Sequence, residues 1–225
     1  GLLDVSLTIS PVKSAQGKIV GVSKIARDIT ERKRSQEHIA TLAREAEHRS
    51  KNLLSIVQAI VRISQADTAE ALKSAINGRV RALAGVYSLF AETRWLGADL
   101  KTIATKELAP FSETDKMRVR IDGSPALLKP DTAQAMAVTL HELATNAAKY
   151  GALSAARGAV DLKWSRQHGG ALVLIWTETG GPAVAKPTRR GFGSRVIEEM
   201  IQQLNGEIRF DWRSEGLVCE IRLQV

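Results

Sequence analysis

The sequence predicts an α+β chain in three parts: a β-hairpin over residues 1–30, a pair of long helices over 31–95, and helices laid on one mixed sheet over 96–225. Three observations lead there. Residues 4 to 9 alternate apolar and polar, as a half-buried strand does. From Glu31 the apolar period changes to a helical one and holds for some thirty residues. Beyond Gly97, helical stretches alternate with short strands, and a loop of glycine, proline and basic residues at 179–193 separates a strand from a helix.

Composition bounds the function. The 225 residues suffice for one large or two small cores, and 44% hydrophobic with 25% charged residues describes an ordinary globular chain. No apolar run of about 18 residues occurs, so no membrane segment is expected in this chain. The start, Gly1-Leu2-Leu3-Asp4-Val5, lacks signal-peptide character and reads as the middle of a strand, as in a piece of a longer protein. The single cysteine, Cys219, lies in a strand-like alternation and excludes a disulfide within the chain, which fits a cytoplasmic location. Histidines and cysteine are too scattered for a zinc site. The net charge of +8 suggests an acidic partner. The basic residues are dispersed and lack interleaved aromatics, so nucleic acid is not the expected one.

Taken in order, Asp4–Ile9 and Lys18–Ile25 form a hairpin about the Ser14-Ala15-Gln16-Gly17 turn. A lone hairpin is rarely stable, so these strands should belong to a larger sheet. Asp28 or Thr30 can cap the helix that follows, with an apolar stripe of Leu42, Ala46, Leu53, Val57 and Ile60. Asp67 with Glu70 makes a capping pair for a second helix to about Ala91, carrying Ala71, Ile76, Val80, Leu83 and Val86. Two such helices form an antiparallel hairpin whose apolar surface a second copy can cover. A helix over Ala98–Leu108 and a strand over Met117–Ile121 follow, then a helix with Pro130 in its first turn, ending at Gly151. Val160–Ser165 and Ala171–Thr177 are strands around the Gln167-His168-Gly169-Gly170 turn. A helix over Ser194–Leu204 and a hairpin of Ile208–Trp212 with Leu217–Val225 complete the chain.

Four stretches carry residues suited to chemistry. In Glu45-Ala46-Glu47-His48-Arg49, His48 lies about 170° from the apolar stripe and should face solvent. An exposed imidazole acts as a nucleophile when a neighbour takes its proton, and Glu45, one turn back, and Glu47 are placed to try. In the helix ending at Gly151, Glu142, Asn146 and Lys149 are spaced i, i+4 and i+7, opposite Met136, Ala137, Leu140, Ala144 and Ala147. An acid and an amide offer oxygen ligands of the kind Mg²⁺ takes, Lys149 can neutralise phosphate, and Tyr150 offers a flat face to a base. The strand Ala171–Thr177 delivers Trp176 and Glu178 to its end, where Gly180 and Gly181 let backbone come close to a ligand. Arg189-Arg190-Gly191-Phe192-Gly193-Ser194 is a glycine-rich turn opening a helix, whose free N–H groups attract phosphate.

In order and spacing these stretches resemble a sensor histidine kinase, and the HWE family in particular. His141 with Trp176-Thr177-Glu178 is similar to the residues that name that family, Glu45–Asn52 to its phosphoacceptor box, and Asp211-Trp212-Arg213…Glu215-Gly216-Leu217 to its ending. The first thirty residues, with the Asp28-Ile29-Thr30 exit, look like the last strands of a PAS domain. The resemblance implies a PAS hairpin remnant, a dimerising phosphoacceptor helical hairpin and an ATP-binding α/β sandwich of the GHKL type. It implies that His48 takes a phosphoryl group from ATP and passes it to an aspartate of a response regulator. It further implies that Asn146 holds Mg²⁺, that Glu142 helps as base or through the metal's water, and that Lys149 meets phosphate. Tyr150 would lie near base or ribose. Glu178 would stand where the wider superfamily has an aspartate reading adenine, although Gly180-Gly181-Pro182 replaces the usual Gly-x-Gly. Gly191 and Gly193, beside Ser194, would close the phosphate side. Residues 179–190 would form a lid, with Arg189 or Arg190 reaching the γ-phosphate. His141 is expected to act behind the contacting residues. Two rivals stand beside this reading: a nucleotide-binding scaffold or ATPase without kinase activity, and a non-enzymatic dimerising or nucleic-acid-binding module.

Overall fold

The computed structural model describes residues 3–112, 118–167, 169–183 and 192–224. The chain divides into two compact units, Gly1–Ile56 and Val57–Val225. In the first, β1 (Val5–Lys13) and β2 (Ile19–Asp28) pair antiparallel, Val5 opposite Asp28 and Leu7 opposite Ala26. Gly17 closes the turn at φ 82°, a conformation that favours glycine. Val5, Leu7, Ile9, Val22 and Ile25 all remain exposed. Helix α1 (Thr30–Ile63) then begins, and the two capping candidates divide the work. The Asp28 carboxylate accepts from Thr30 N–H at 2.8 Å, while Thr30 Oγ1 accepts from Asp4 N–H at 2.9 Å and ties the helix start to β1.

The second unit starts within the last turns of α1 and continues through α2 (Ala69–Glu92), β3 (Ala98–Asp99), α3 (Leu100–Ser112), β4 (Val119–Gly123), β5 (Leu127–Leu128) and α4 (Pro130–Lys149). A 3-10 turn at Ala152–Ser154 leads to β6 (Ala159–Arg166), β7 (Ala171–Thr179), α5 (Phe192–Gln203), β8 (Glu207–Arg213) and β9 (Gly216–Gln224). Five strands form one sheet in the order β4-β6-β7-β9-β8, parallel between β4 and β6 and antiparallel elsewhere. Strand alternation sends Val160, Leu162, Leu172, Leu174, Trp176, Cys219 and Ile221 into one core with Met136, Leu140, Leu143 and Ala144 of α4 and Ile197 and Ile201 of α5. Ion pairs such as Lys163–Asp161 and Arg222–Glu220 lie along these strands outside that core. The result is the expected α+β sandwich. Among the described residues no helix is long and apolar enough to cross a membrane.

Several boundaries differ from expectation for identifiable reasons. Thr68, rather than Asp67 with Glu70, caps α2: its hydroxyl accepts from Ala71 N–H at 3.1 Å. The buried face of α2 is Arg79, Ala82, Leu83, Val86, Leu89 and Phe90, so Val80 points out, and this face packs on α4 inside the same unit. Ala98 and Asp99 pair with Leu128 and Leu127 in a short ribbon, and Asp99 caps α3 through Thr102 N–H at 3.1 Å, which moves the helix start to Leu100. That helix carries Pro110 near its end and stops two residues later, at Ser112. β7 extends to Thr179 and places Glu178 inside the strand, and α5 starts at Phe192, so Gly193 lies in its first turn. At the other end of α5, Asn205 takes φ 53° and Gly206 N–H returns to the Ile201 carbonyl at 3.0 Å, a glycine-type helix stop. Met117 and His168, expected in a strand and a turn, lie outside the described residues.

Leu140 is fully buried between layers, while Leu127 is 55% exposed. Leu140→Ala is expected to lower stability by roughly 2–5 kcal/mol and Leu127→Ala by less than about 0.5 kcal/mol, measured by urea denaturation.

Candidate functional site

A cavity of about 1070 Å³ opens in the second unit between the ends of α2, α4 and α5 and the sheet. Glu142, Asn146, Lys149, Tyr150, Glu178, Gly193 and Ser194, expected at separate places in the sequence, all line it, and so does His141. Volume and composition suit a ligand the size of a nucleotide. Gln65 to Asp67, Arg79, Phe210, Trp212 and Leu217 also line it.

At one end, α4 and α5 meet so closely that a Cβ on Gly193 would stand 2.6 Å from Glu142 Oε2 and 3.1 Å from Asn146 Nδ2. Only a residue without a side chain brings the α5 backbone this near the acid and the amide. Glu142 does not present a free carboxylate: Arg79 Nε and Nη2 hold Oε1 and Oε2 at 2.7 and 2.9 Å, and Arg79 Nη1 also donates to Ser64 Oγ. Arg79 and Glu142 are both buried. Asn146, one turn on, is half-buried, and Lys149 and Tyr150 are exposed, Tyr150 by 76%, which excludes a packed role for its ring. His141 Nδ1 lies 3.2 Å from Glu107 Oε2 of α3, and its ring sits on Gly78 of α2, where a Cβ would come 2.5 Å from Nε2.

At the other end, Glu178 is buried, its Oε2 accepting from Ala152 N–H at 2.8 Å and its Oε1 from the Trp176 indole at 3.1 Å. Burial pushes its pKa up against the two hydrogen bonds, which favour the anion. Gly151 is required beside it, since a Cβ there would lie 2.0 Å from Oε2. Trp176 is fully buried, part of the core and a support for Glu178 together. Phe210 and Trp212 on β8 stack with centroids 6.1 Å apart.

Gly180 and Gly181 bring backbone close to backbone: Gly180, at φ 70°, sits against the Arg157 carbonyl and Gly181 against Ala152. Arg189, Arg190 and Gly191 and most of the expected lid lie outside the described residues. In the first unit, His48 is exposed as expected, while Glu45 pairs with Arg49 at 3.1 Å and Glu47 with Lys51 at 2.7 Å. No group of three or more His, Cys, Asp or Glu side chains that could hold a metal occurs among the described residues. Sequence reasoning missed Arg79, Glu107 and Phe210. The signal for Arg79 was present: a charged residue inside the apolar stripe of α2.

Helices over one face of a mixed sheet form the fold of a histidine kinase domain. Two solved structures of the Erythrobacter litoralis blue-light activated histidine kinase share it. The longer gives a TM-score of 0.63 at 22% identity over 97% of this chain and 69% of that one. The kinase domain alone gives 0.56 at 17% identity over 79% and 94%. Residues 45–125 match the model of the HWE histidine kinase family. The chain is 36% identical over 222 residues to a blue-light-activated histidine kinase of Rhizobium johnstonii, covering 96% of this chain and 64% of that protein. It is 34% identical over 218 residues to one of Brucella anthropi, covering 93% and 44%. This chain belongs to the HWE histidine kinases, and it spans roughly half to two thirds of the length of these relatives.

The raised pKa of Glu178 fixes the sign of a pH effect. Folding favours its protonated form, so its stabilising contribution is present below the ordinary value of 4.5 and is lost as pH rises through the raised one. Glu178→Gln is expected to remove this fall in stability, read as urea midpoints between about pH 4 and 8.

Proposed function

We propose that this chain carries the phosphoacceptor and catalytic parts of a sensor histidine kinase, divided as 1–30 PAS strands, 31–95 phosphoacceptor helices and 96–225 ATP-binding domain. The observation that carries the reading is the convergence of Glu142, Asn146 and Gly193 at one end of a cavity whose other end holds buried Glu178. ATP is the substrate. Glu178 would accept from the adenine amino group, and Tyr150 would border the base or ribose. Lys149 and the N–H groups of Gly193 and Ser194 at the start of α5 would receive the phosphates, with Arg190 and Gly191 closing that side. Gly180 and Gly181 would shape the strand exit beneath the base. Asn146, with Glu142 acting on the water shell, would hold Mg²⁺, which neutralises phosphate charge when bound.

In autophosphorylation a neutral His48 nitrogen attacks the γ-phosphorus. The nitrogen–phosphorus bond forms, the bond to the β-bridging oxygen breaks, and ADP leaves with that electron pair. The other ring nitrogen gives its proton to a carboxylate, for which Glu45 is the neighbour of choice. Its pair with Arg49 is exposed, and such pairs are worth only about 0–1 kcal/mol, so the carboxylate exchanges partners readily. The phosphoryl group then moves to an aspartate oxygen of a receiver domain and His48 recovers its proton. Exposed Ile39, Leu42 and Leu54 on α1 support a homodimer in which a second copy covers the helices.

With γ-labelled Mg-ATP, His48→Ala is expected to abolish an acid-labile, base-stable label while nucleotide affinity stays unchanged, and Asn146→Ala to lose both labelling and affinity. A labelled His48→Ala protein would overturn the assignment; ATP turnover with no label on the parent would favour the ATPase reading.

A further inference from the structure

Arginine is a costly choice on the buried face of α2. Its neighbours on that face are Ala82, Leu83 and Val86, and apolar residues generally replace a buried ion pair without loss of stability. What Arg79 adds is geometry. Its planar fork engages both oxygens of Glu142, which fixes the plane of the carboxylate as a single charge–charge contact would not. The fork is itself anchored: Ser64 Oγ accepts from Nη1 and donates to the Ile60 carbonyl in the last turn of α1. Glu142 Oε2, the oxygen that Arg79 Nη2 holds, also faces Gly193 in the first turn of α5, next to the Asn146 amide. The carboxylate is thus clamped by the fork and directed toward the place where α4 and α5 converge.

We propose that Arg79 is a positioning residue for phosphoryl transfer, holding the Glu142 carboxylate in one orientation beside Asn146 at the start of α5. The proposal rests on the histidine kinase reading and goes beyond it: Glu142 acts as an oriented group whose geometry α2 and the α1–α2 junction control. A carboxylate free to rotate would satisfy the same charge balance but would not present one oxygen to the Asn146 side throughout the reaction.

The test uses the whole chain with four substitutions: Arg79→Gln, Arg79→Lys, Glu142→Gln, and Arg79→Gln combined with Glu142→Gln. Thermal unfolding without nucleotide and the rate of labelling from Mg-ATP are measured for each. Because Arg79→Gln alone leaves a buried carboxylate unpaired, Arg79→Lys, which keeps the charge without the fork, is the single variant expected to stay folded. Folded Arg79→Lys is expected to label more slowly than the parent by on the order of 10- to 100-fold, as loss of a residue supporting a ligand typically does. With no carboxylate left to orient, the double variant should label within about threefold of Glu142→Gln. A folded Arg79→Lys that labels within about tenfold of the parent, or a double variant much slower than Glu142→Gln, overturns the proposal and makes the pair a packing feature. If the parent itself takes no label from Mg-ATP, the kinase reading fails instead, so the two failures are distinguishable.

Discussion

Helix α4 is enclosed along most of its length, and most polar side chains on a helix with little solvent face find partners on its neighbours. From Thr132 to Ala144 only His141 among its residues is more than slightly exposed. The sheet takes Met136, Leu140 and Leu143, and small residues such as Ala133, Ala137 and Ala144 let neighbours approach. The polar groups left over then dictate what surrounds them. Gln134 meets the Tyr87 hydroxyl at 3.3 Å, His141 meets Glu107 and Glu142 meets Arg79. Gln134 Oε1 and Thr139 Oγ1 are buried with no hydrogen-bond partner among the described residues.

This enclosure explains where the site lies. Burial relaxes only in the last turn, so Asn146, Lys149 and Tyr150 emerge into the cavity while Glu142, one turn earlier, is still inside the packing. A row of residues spaced i, i+4 and i+7 therefore runs from a buried, ion-paired end to an open one. An acid at the buried end can be oriented by the protein, and an amide and a lysine at the open end are accessible to a ligand. The gradient follows from α2 crossing α4 near Glu142 and leaving the last turn uncovered.

How much of this was legible in the sequence follows from the range of each interaction. The hairpin strands, the five strands of the main sheet, α1 and the Pro130 start of α4 depend on local periodicity and local backbone limits, and the sequence places them within a few residues; the short β3 and β5, which exist only by pairing with each other, it does not place. The site residues were legible as types, because an acid, an amide and a cation at helical spacing are a local pattern. Their states were not. Arg79 lies 63 residues from Glu142 and Glu107 lies 34 from His141, so no local pattern reveals that the row is half enclosed. Reading α4 as one apolar and one polar face assumed solvent where α2 and α3 pack. Likewise Gly180 and Gly181 suggest close approach, but only the tertiary structure shows that what approaches is the chain itself.

The residues that name the family illustrate the same division. His141 and Trp176 belong to the frame of the site in this structure, and Glu178 both supports that frame and lines the cavity. His141 joins α4 to α3 and rests on a glycine of α2; its ring would have no room over any larger residue at position 78. Trp176 fills the core and turns its one polar atom toward Glu178, and Glu178 in turn holds the Ala152 amide just beyond the end of α4. The three thus tie α4 to its flanking helices at one point and to the sheet at another. Displacement at either point would shift the exposed turn that carries Asn146 and Lys149. A ligand-facing residue can be exchanged for another of similar chemistry at one place. A frame residue such as His141 or Trp176 must match a particular glycine, carboxylate or amide on a distant element.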